Sequence, residues 1–366
     1  MTQLIIPIFV VYRGCPNRCV FCNEKITAGD FPDRITEDVF RETVYGYLNN
    51  KRRKADNIQI AFYGGNFTGI DRNYQTRLLG FAQHFIEKGL VNSIRISTRP
   101  DYIDNESLRL LEKYHVRTVE IGAQSMVDEV LNLSNRGHSA ADVRNGIRIL
   151  KERGFETGMH LMVGLPGDTE SRFKYTVDET IALHPDTVRI HPTIVFSDTA
   201  LAESYRNGDY RPMTIGDAIE YCKYALIKFE EADIPVIRLG LQTTREMEED
   251  GSIAAGPFHP AFRSLVEGSI FLDMASSLLE RTQIRDKEIT FILSPGDVSN
   301  FRGLRNQNIS ALKGRFKLME ITVKTDPVQE RGMLVLTNGS EFKVQRSKFR
   351  VLNPELGTRN SERFFK

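Results

Sequence analysis

The sequence predicts an α/β fold, built on a parallel sheet and followed by helices and a small α+β segment. Three observations predict it. Short runs rich in Val, Ile and Phe alternate with amphipathic helical runs from the N-terminus to about Pro192. Six strand–helix units in series imply parallel strands, because each crossover helix returns the chain to the same end of the sheet. A composition shift near Asp286 then opens a stretch in which strand-like runs flank one short helix. The expected divisions are a core at 1–200, a helical extension at 201–285 and a small C-terminal domain at 286–366. Periodicity alone leaves a partial barrel and an open doubly wound sheet both available.

The strands expected in order are Leu4–Val11, Ile58–Tyr63, Ser93–Ser97, Thr118–Ile121, Thr157–Val163 and Thr187–His191, all too short for buried helices. Between them fall helical patterns at Glu37–Asn49, Tyr74–Lys88, Asn105–Lys113, Ala140–Arg153 and Glu170–Leu183. In the fourth, Val143, Ile147 and Leu150 mark one face and Gly154 follows as a C-terminal cap. Ile215–Ala232 and Ala261–Glu280 read as further helices. The last segment reads as strands at Glu288–Leu293, Phe316–Val323 and Gly332–Leu336, a helix around Asn306–Leu312, and a polar, fraying tail from Asn353.

Composition bounds the function. The 366 residues are 40% hydrophobic and 27% charged, with 49 basic against 48 acidic residues, so net charge steers the chain toward neither nucleic acid nor membrane. No apolar run reaches membrane-spanning length. "LIIPIFVVYRGC" has the look of a signal core before a lipidated Cys, but no Lys or Arg precedes the apolar run and Pro7 interrupts it, so a buried strand is expected. Three of the four cysteines crowd one loop, which suits a metal or catalytic site in a reducing compartment, and a cytoplasmic location is expected.

That loop reads "YRGCPNRCVFCNEK", with Cys15, Cys19 and Cys22 spaced C-x3-C-x2-C directly after the first strand. Thiolates are soft donors for zinc, copper(I) or iron–sulfur clusters. A structural zinc wants four ligands, here a fourth from a nearby His; a redox pair needs only two cysteines. Three thiolates on one tight loop suit a [4Fe–4S] cube with one iron open to a further ligand. The remaining Cys222, among apolar neighbours at helical spacing in "IEYCKYALIKF", is expected in the core.

The cysteine loop, with the aromatic Phe21 before its last Cys, resembles the signature of the radical S-adenosylmethionine (SAM) superfamily. The resemblance implies a (βα)6 partial TIM-type barrel. It also implies a cluster on the three cysteines, SAM chelated at the open iron, and cleavage of SAM to begin radical chemistry on a substrate. Ligands of parallel α/β folds sit at the carboxyl ends of the strands, so those ends should be polar or glycine-rich. The second ends "AFYGGNFTG", which resembles the superfamily's Gly-Gly-Glu motif with Asn66 in the Glu position and with Gly64 and Gly65 offering carbonyls to the SAM ammonium. The third ends "STRPD", where Ser97, Thr98 and Arg99 can bond ribose or carboxylate. The fourth ends "EIGAQS", bringing Glu120, Gly122 and Gln124 toward the pocket, and "NRGH" follows, with Arg136 suited to a carboxylate and His138 to a cap or surface position. At the fifth, "GMHLMVGLPGDT" offers the Val163, Gly164 and Leu165 backbone to adenine. His160 and His191 are expected to face the cavity from their strands, in roles left open.

From about Ile96 to Glu267 the chain resembles the radical SAM domain of the Elongator catalytic subunit family, in "STRPDY", "EIGAQS", "NRGH", "HPTIVFSDTALAESYRNGDY" and "GPFHPAFRSLVEG". That family acts on tRNA wobble uridines. Two departures are the shorter first cysteine gap and the lack of room for an acetyltransferase domain, so acetyl-CoA chemistry is not expected. A looser resemblance to oxygen-independent coproporphyrinogen oxidases is confined to the core motifs. The expected partners are an electron donor such as flavodoxin or ferredoxin and an RNA substrate. The C-terminal Arg302, Arg305, Lys313, Arg315 and Lys317 form either a phosphate-gripping face or a merely solvated one. A non-catalytic iron–sulfur or SAM-binding protein is the expectation if the pocket does not turn over.

Overall fold

The computed structural model describes residues 3–11, 14–28, 32, 34–50, 55–249, 251–282, 287–338 and 341–348. Its central feature is an all-parallel sheet begun by β1 (Gln3–Phe9), β2 (Asn57–Tyr63), β3 (Ser93–Thr98), β4 (Val116–Gln124), β5 (Glu156–Val163) and β6 (Thr187–Pro192). β7 (Val195–Phe196) steps out of the sheet, β8 (Val236–Leu239) rejoins it beside β6, and β9 (Ile253–Ala255) pairs antiparallel with β7. Strand order in this seven-stranded sheet is β1-β2-β3-β4-β5-β6-β8. The seventh strand departs from the six expected. "VIRL" is only four residues long, and Arg238 interrupts its apolar run, so the sequence reads as a loop between helices.

Crossover helices cover one face. Leu4, Ile6 and Ile8 of β1 are buried there with Phe40 and Val44 of the helix Glu37–Leu48, and the intervening residues turn to the other face. β6 repeats the alternation, with Val188 and Ile190 toward the helices. A sheet packed on both faces would be apolar throughout. Strict alternation therefore marks an inner face that lines a space rather than a second core. Side-chain caps from Thr36, Asp71, Asp104, Ser139, Thr169, Thr199 and Thr214 fix where helices start. In a βα unit those starts follow the strand ends, so positive dipole ends gather at the mouth. Cys222 is fully buried on the helix Ile215–Glu231, as expected.

The C-terminal sheet has order β11-β10-β12-β13, from β10 (Glu288–Leu293), β11 (Glu320–Thr325), β12 (Met333–Asn338) and β13 (Glu341–Lys348). Phe316, expected to open a strand, instead ends the helix Gln307–Phe316, where it joins Ile309 and Leu312 in one apolar stripe. This unit is sewn to the long helix Phe262–Thr282: Asn300 Nδ2 donates to Glu267 at 2.6 Å, and Asn308 Nδ2 to the Gly268 carbonyl at 2.8 Å. The boundary expected at Asp286 and the tail from Asn353 lie outside the described residues.

Candidate active site

Cys15, Cys19 and Cys22 stand beyond the end of β1, lining one end of a cavity of about 1600 Å³ enclosed by the inner face of the sheet. Glycine is required at their entrance. Gly14 has φ +77°, and a β-carbon there would fall 2.1 Å from the Asn66 carbonyl oxygen. The loop is then held from several sides. Asn66 Nδ2 donates to the Gly14 carbonyl at 2.8 Å, Asn135 Nδ2 to the Arg18 carbonyl at 2.9 Å, and the Leu201 N–H to the Val20 carbonyl at 2.8 Å. A backbone bond from Cys22 N–H to the Cys19 carbonyl, 3.1 Å, folds the second half into a turn. Phe21 lies half-buried against Val195, Leu201, Ala202 and Tyr210 and lines the cavity wall.

The thiols are close enough to disfavour one another's ionisation. Burial first, then Glu24 and Cys19, pushes Cys15 up to about 11, and burial, Glu24 and both other cysteines raise Cys22 further. Such a site relaxes when a cation takes the thiolates. Cys19, 7% exposed, accepts from Arg136 Nη1 at 3.1 Å. Among the described residues no three Cys, His, Asp or Glu side chains converge on one ion position. Three thiols on one loop are a soft donor set suited to iron–sulfur chemistry. The donor set fits a cluster on three thiolates.

The structure brings only part of the expected cofactor set to the cavity. Gly64 and Gly65, at φ +81° and +56°, line it, with the Gly65 N–H donating to Glu24 at 2.7 Å. Asn66 does not line it. Fully buried, its Oδ1 accepts from Thr98 Oγ1 at 2.6 Å and from the Arg99 N–H at 3.1 Å, tying the cysteine loop to the end of β3. Thr98 and Arg99 reach the wall, but their polar groups are engaged: Thr98 with Asn66 and Thr68, Arg99 with Asp101 through two bonds and with the Arg136 carbonyl. Gln124 takes φ +68° where β4 breaks register, and its Oε1 is buried in the wall without a partner. Arg136 spends Nη1 on Cys19 and Nη2 on the Gly122 carbonyl at 2.7 Å, which leaves Nε unpartnered.

Val163, Gly164 and Leu165 lie elsewhere. The Val163 carbonyl accepts from the Thr193 N–H, the Gly164 carbonyl from Tyr210 Oη at 2.6 Å, and the Gly164 N–H donates to Asp168 at 3.0 Å. Gly164 and Leu165 border a separate depression of about 310 Å³ beside Asp168 and Tyr210. The Gly164 N–H and the Val163 and Gly164 carbonyls are engaged within the protein, and none of the three residues lines the cysteine cavity. His138 is neither cap nor surface: it is buried, bonded to the Ala123 carbonyl at 3.3 Å, and Ser139 caps the next helix.

Deeper in the cavity stands a polar network that sequence reasoning only half anticipated. Glu120 is flanked by Arg95 at 2.5 Å and Arg189 at 3.0 Å; burial alone would raise its pKa, but the two guanidiniums reverse this and lower it. Arg189 also donates to the Tyr63 hydroxyl and lies 4.8 Å over that ring. His160 Nε2 meets His191 Nδ1 at 2.9 Å. Burial and then Arg189 push His160 down to about 4; burial, His160 and Arg189 also lower His191, which favours the neutral form of both rings. Glu24, Tyr63, Arg189 and Arg238 line the cavity too and were missed. For the last three, polar residues at alternate positions of apolar strands were the available signal.

Comparison with known proteins agrees with this architecture. A Radical SAM superfamily model matches residues 9–180, and a Radical_SAM C-terminal domain model matches residues 185–270. A tRNA uridine(34) acetyltransferase of Methanocaldococcus infernus is 29% identical over 259 residues, which is 60% of this chain and 48% of the relative. Elongator complex protein 3 of Mus musculus is 29% identical over 211 residues, 51% of this chain and 38% of the relative. The chain thus spans about half the length, or less, of these curated relatives. A solved structure of the archaeal Methanocaldococcus infernus Elp3 with an N-terminal deletion superposes with a TM-score of 0.55 at 22% identity, covering 78% of this chain and 64% of that one, which supports the fold alone.

Proposed function

The chain belongs to the radical SAM superfamily, and from that premise we propose that it is an enzyme that cleaves SAM reductively to start radical chemistry on a substrate. The observation that carries the reading is the triad Cys15, Cys19 and Cys22 on one glycine-anchored loop at a large polar cavity. These three side chains would hold a [4Fe–4S] cluster. When bound there, the reduced cluster supplies the electron that breaks SAM into methionine and a 5′-deoxyadenosyl radical.

The chain's own residues then have defined tasks. Arg136 orients the Cys19 sulfur through its 3.1 Å bond and keeps Nε for the carboxylate of SAM. The Gly64 and Gly65 carbonyls accept from the SAM ammonium, and Gln124 Oε1 accepts from a ribose hydroxyl. Asn66, Thr98 and Arg99 act one layer back, fixing the loop that presents the cysteines. Phe21 would offer the adenine an apolar ring in the cavity wall, whereas Val163–Leu165 do not line that cavity.

The electron comes from a flavodoxin or ferredoxin, in the cytoplasm. A tRNA substrate is supported by the names of the relatives and by exposed Arg302, Arg305 and Lys317 on the C-terminal unit. Among the described residues no helix is long and apolar enough to cross a membrane. The test is anaerobic reconstitution with iron and sulfide, reduction with dithionite, and chromatographic assay of 5′-deoxyadenosine, with and without total tRNA. Deoxyadenosine formed faster with tRNA is the expected result. A colourless zinc protein would refute the enzyme, and stimulation by a small metabolite but not by tRNA would refute the RNA substrate.

A further inference from the structure

Deep in the half-barrel the inner face has the wrong composition for a packed core. Closed parallel barrels fill this space with branched aliphatic side chains. Here β6 turns Arg189 and His191 inward, β5 His160, β4 Glu120, β2 Tyr63 and β8 Arg238, all lining the same cavity. Strand register layers them: Arg189 pairs laterally with His160 on one side and Arg238 on the other, and His191 stands one inward position nearer the mouth. Glu120 is likewise one inward position below Gly122, whose carbonyl holds Arg136 and through it Cys19. At a rise of about 3.3 Å per residue, Glu120 lies roughly 7 Å along β4 beneath Gly122.

The floor is rich in guanidinium groups: Arg95 and Arg189 share the carboxylate of Glu120, and Arg238 lines the same cavity. Two nitrogens of β6 also lack partners: Arg189 Nε and His191 Nε2. They belong to alternate residues of one strand, so they serve one face of the cavity. Buried donors are rarely left so, because an unpaired one forfeits its hydration without a replacement bond. Both nitrogens are screened from water, while Arg189 and His191 themselves line the cavity, so side-chain movement is what would bring these nitrogens onto an entering oxygen.

We propose that the Arg189–His191 wall of β6, with Arg238 beside it, is a substrate subsite that binds an oxyanion, a carboxylate or phosphate carried by the substrate, and so fixes which part of that substrate lies under the cluster loop. His191 donates from Nε2 in the tautomer that accepts at Nδ1 from His160. Tyr63 and Glu120 hold the Arg189 guanidinium in place for the anion. This inference rests on the radical SAM reading for what is substrate, though not for whether the anion binds.

The test titrates anoxically purified protein with inorganic phosphate and, separately, with malonate, by calorimetry, with and without saturating SAM. Saturable binding that survives SAM and weakens at least tenfold in Arg189→Met is the expected result. Arg189→Met also strips Glu120 of an ionic partner and so costs stability; His191→Phe, which keeps the ring volume, serves as the second variant, with a severalfold loss expected. Phosphate-only binding assigns the oxyanion to a nucleotide and malonate-only binding to a carboxylic acid; both support the subsite. The proposal is overturned if neither anion saturates, if both folded variants bind as wild type, or if SAM abolishes binding, which would make this the carboxylate position of the cofactor. Deoxyadenosine formation by the same wild-type preparation tests the underlying reading separately.

Discussion

Replacing Asn66 by Ala should loosen the cysteine loop without touching a cysteine. The amide of Asn66 serves the Gly14 carbonyl at 2.8 Å, the Arg99 N–H at 3.1 Å and the Thr98 hydroxyl at 2.6 Å, in a fully buried position. Thr98 retains Thr68 as a partner after the substitution. The Gly14 carbonyl and the Arg99 N–H lose their contacts to the amide, at about 1–3 kcal/mol each when buried and unsatisfied. Water entering the space recovers part of this, so a net loss of about 3 kcal/mol follows. That is a large fraction of a typical stability of about 5–15 kcal/mol. Asn66→Asp should do at least as much harm, because it sets a carboxylate against the Gly14 carbonyl. Urea unfolding of the cluster-free protein gives the magnitude through its midpoint at constant slope. Iron content after anaerobic reconstitution gives the effect on the site. A midpoint within about 0.5 kcal/mol of wild type, together with full iron loading, would refute the reasoning and return Asn66 to a direct cofactor role.

Further expectations concern the cysteines, the entrance glycine and the buried histidines. Cys19→Ala should abolish cluster and SAM cleavage together, read by iron analysis and deoxyadenosine assay, whereas Cys222→Ala should load iron normally and lose only about 1–2 kcal/mol in urea. Gly14→Ala should impair loading as severely as loss of a cysteine, because its β-carbon would sit 2.1 Å from the Asn66 carbonyl oxygen. His138 and His160 are held down to about 4 by burial first and nearby arginines second. Unfolded, both bind protons below about pH 6.5, so native stability is intact above that value and falls as pH drops toward 4. Each contributes up to about 1.4 kcal/mol per pH unit in that window. His160→Gln should flatten the fall in urea midpoint between pH 7 and 5; an unchanged pH profile contradicts the assignment.

The path of the sheet was legible because alternation is a local property. Leu4, Ile6 and Ile8, or Val188 and Ile190, announce their strands without reference to anything distant. The seventh strand was not, since four residues with Arg238 among them carry too little pattern. The cysteine loop was legible from spacing. Partner choice at the other strand ends was not, because hydrogen bonds are settled in three dimensions. Asn66, Thr98 and Arg99 have the chemistry to meet a cofactor, yet they meet one another and Asp101. Arg136 was expected at a carboxylate and spends its two terminal nitrogens on a sulfur and a carbonyl. The charged floor was visible in retrospect as Arg189 and His191 at alternate positions of β6, but only a hollow sheet makes inward charge sensible.

Paramagnetic resonance of the reconstituted, dithionite-reduced protein, recorded before and after SAM is added, tests the central claim most directly. Four irons per chain, with a spectrum that shifts when SAM is added and not when methionine-free adenosine is, is the result expected of a cube held by Cys15, Cys19 and Cys22 with one iron open. A spectrum indifferent to SAM, or protein that takes up no iron, contradicts the account.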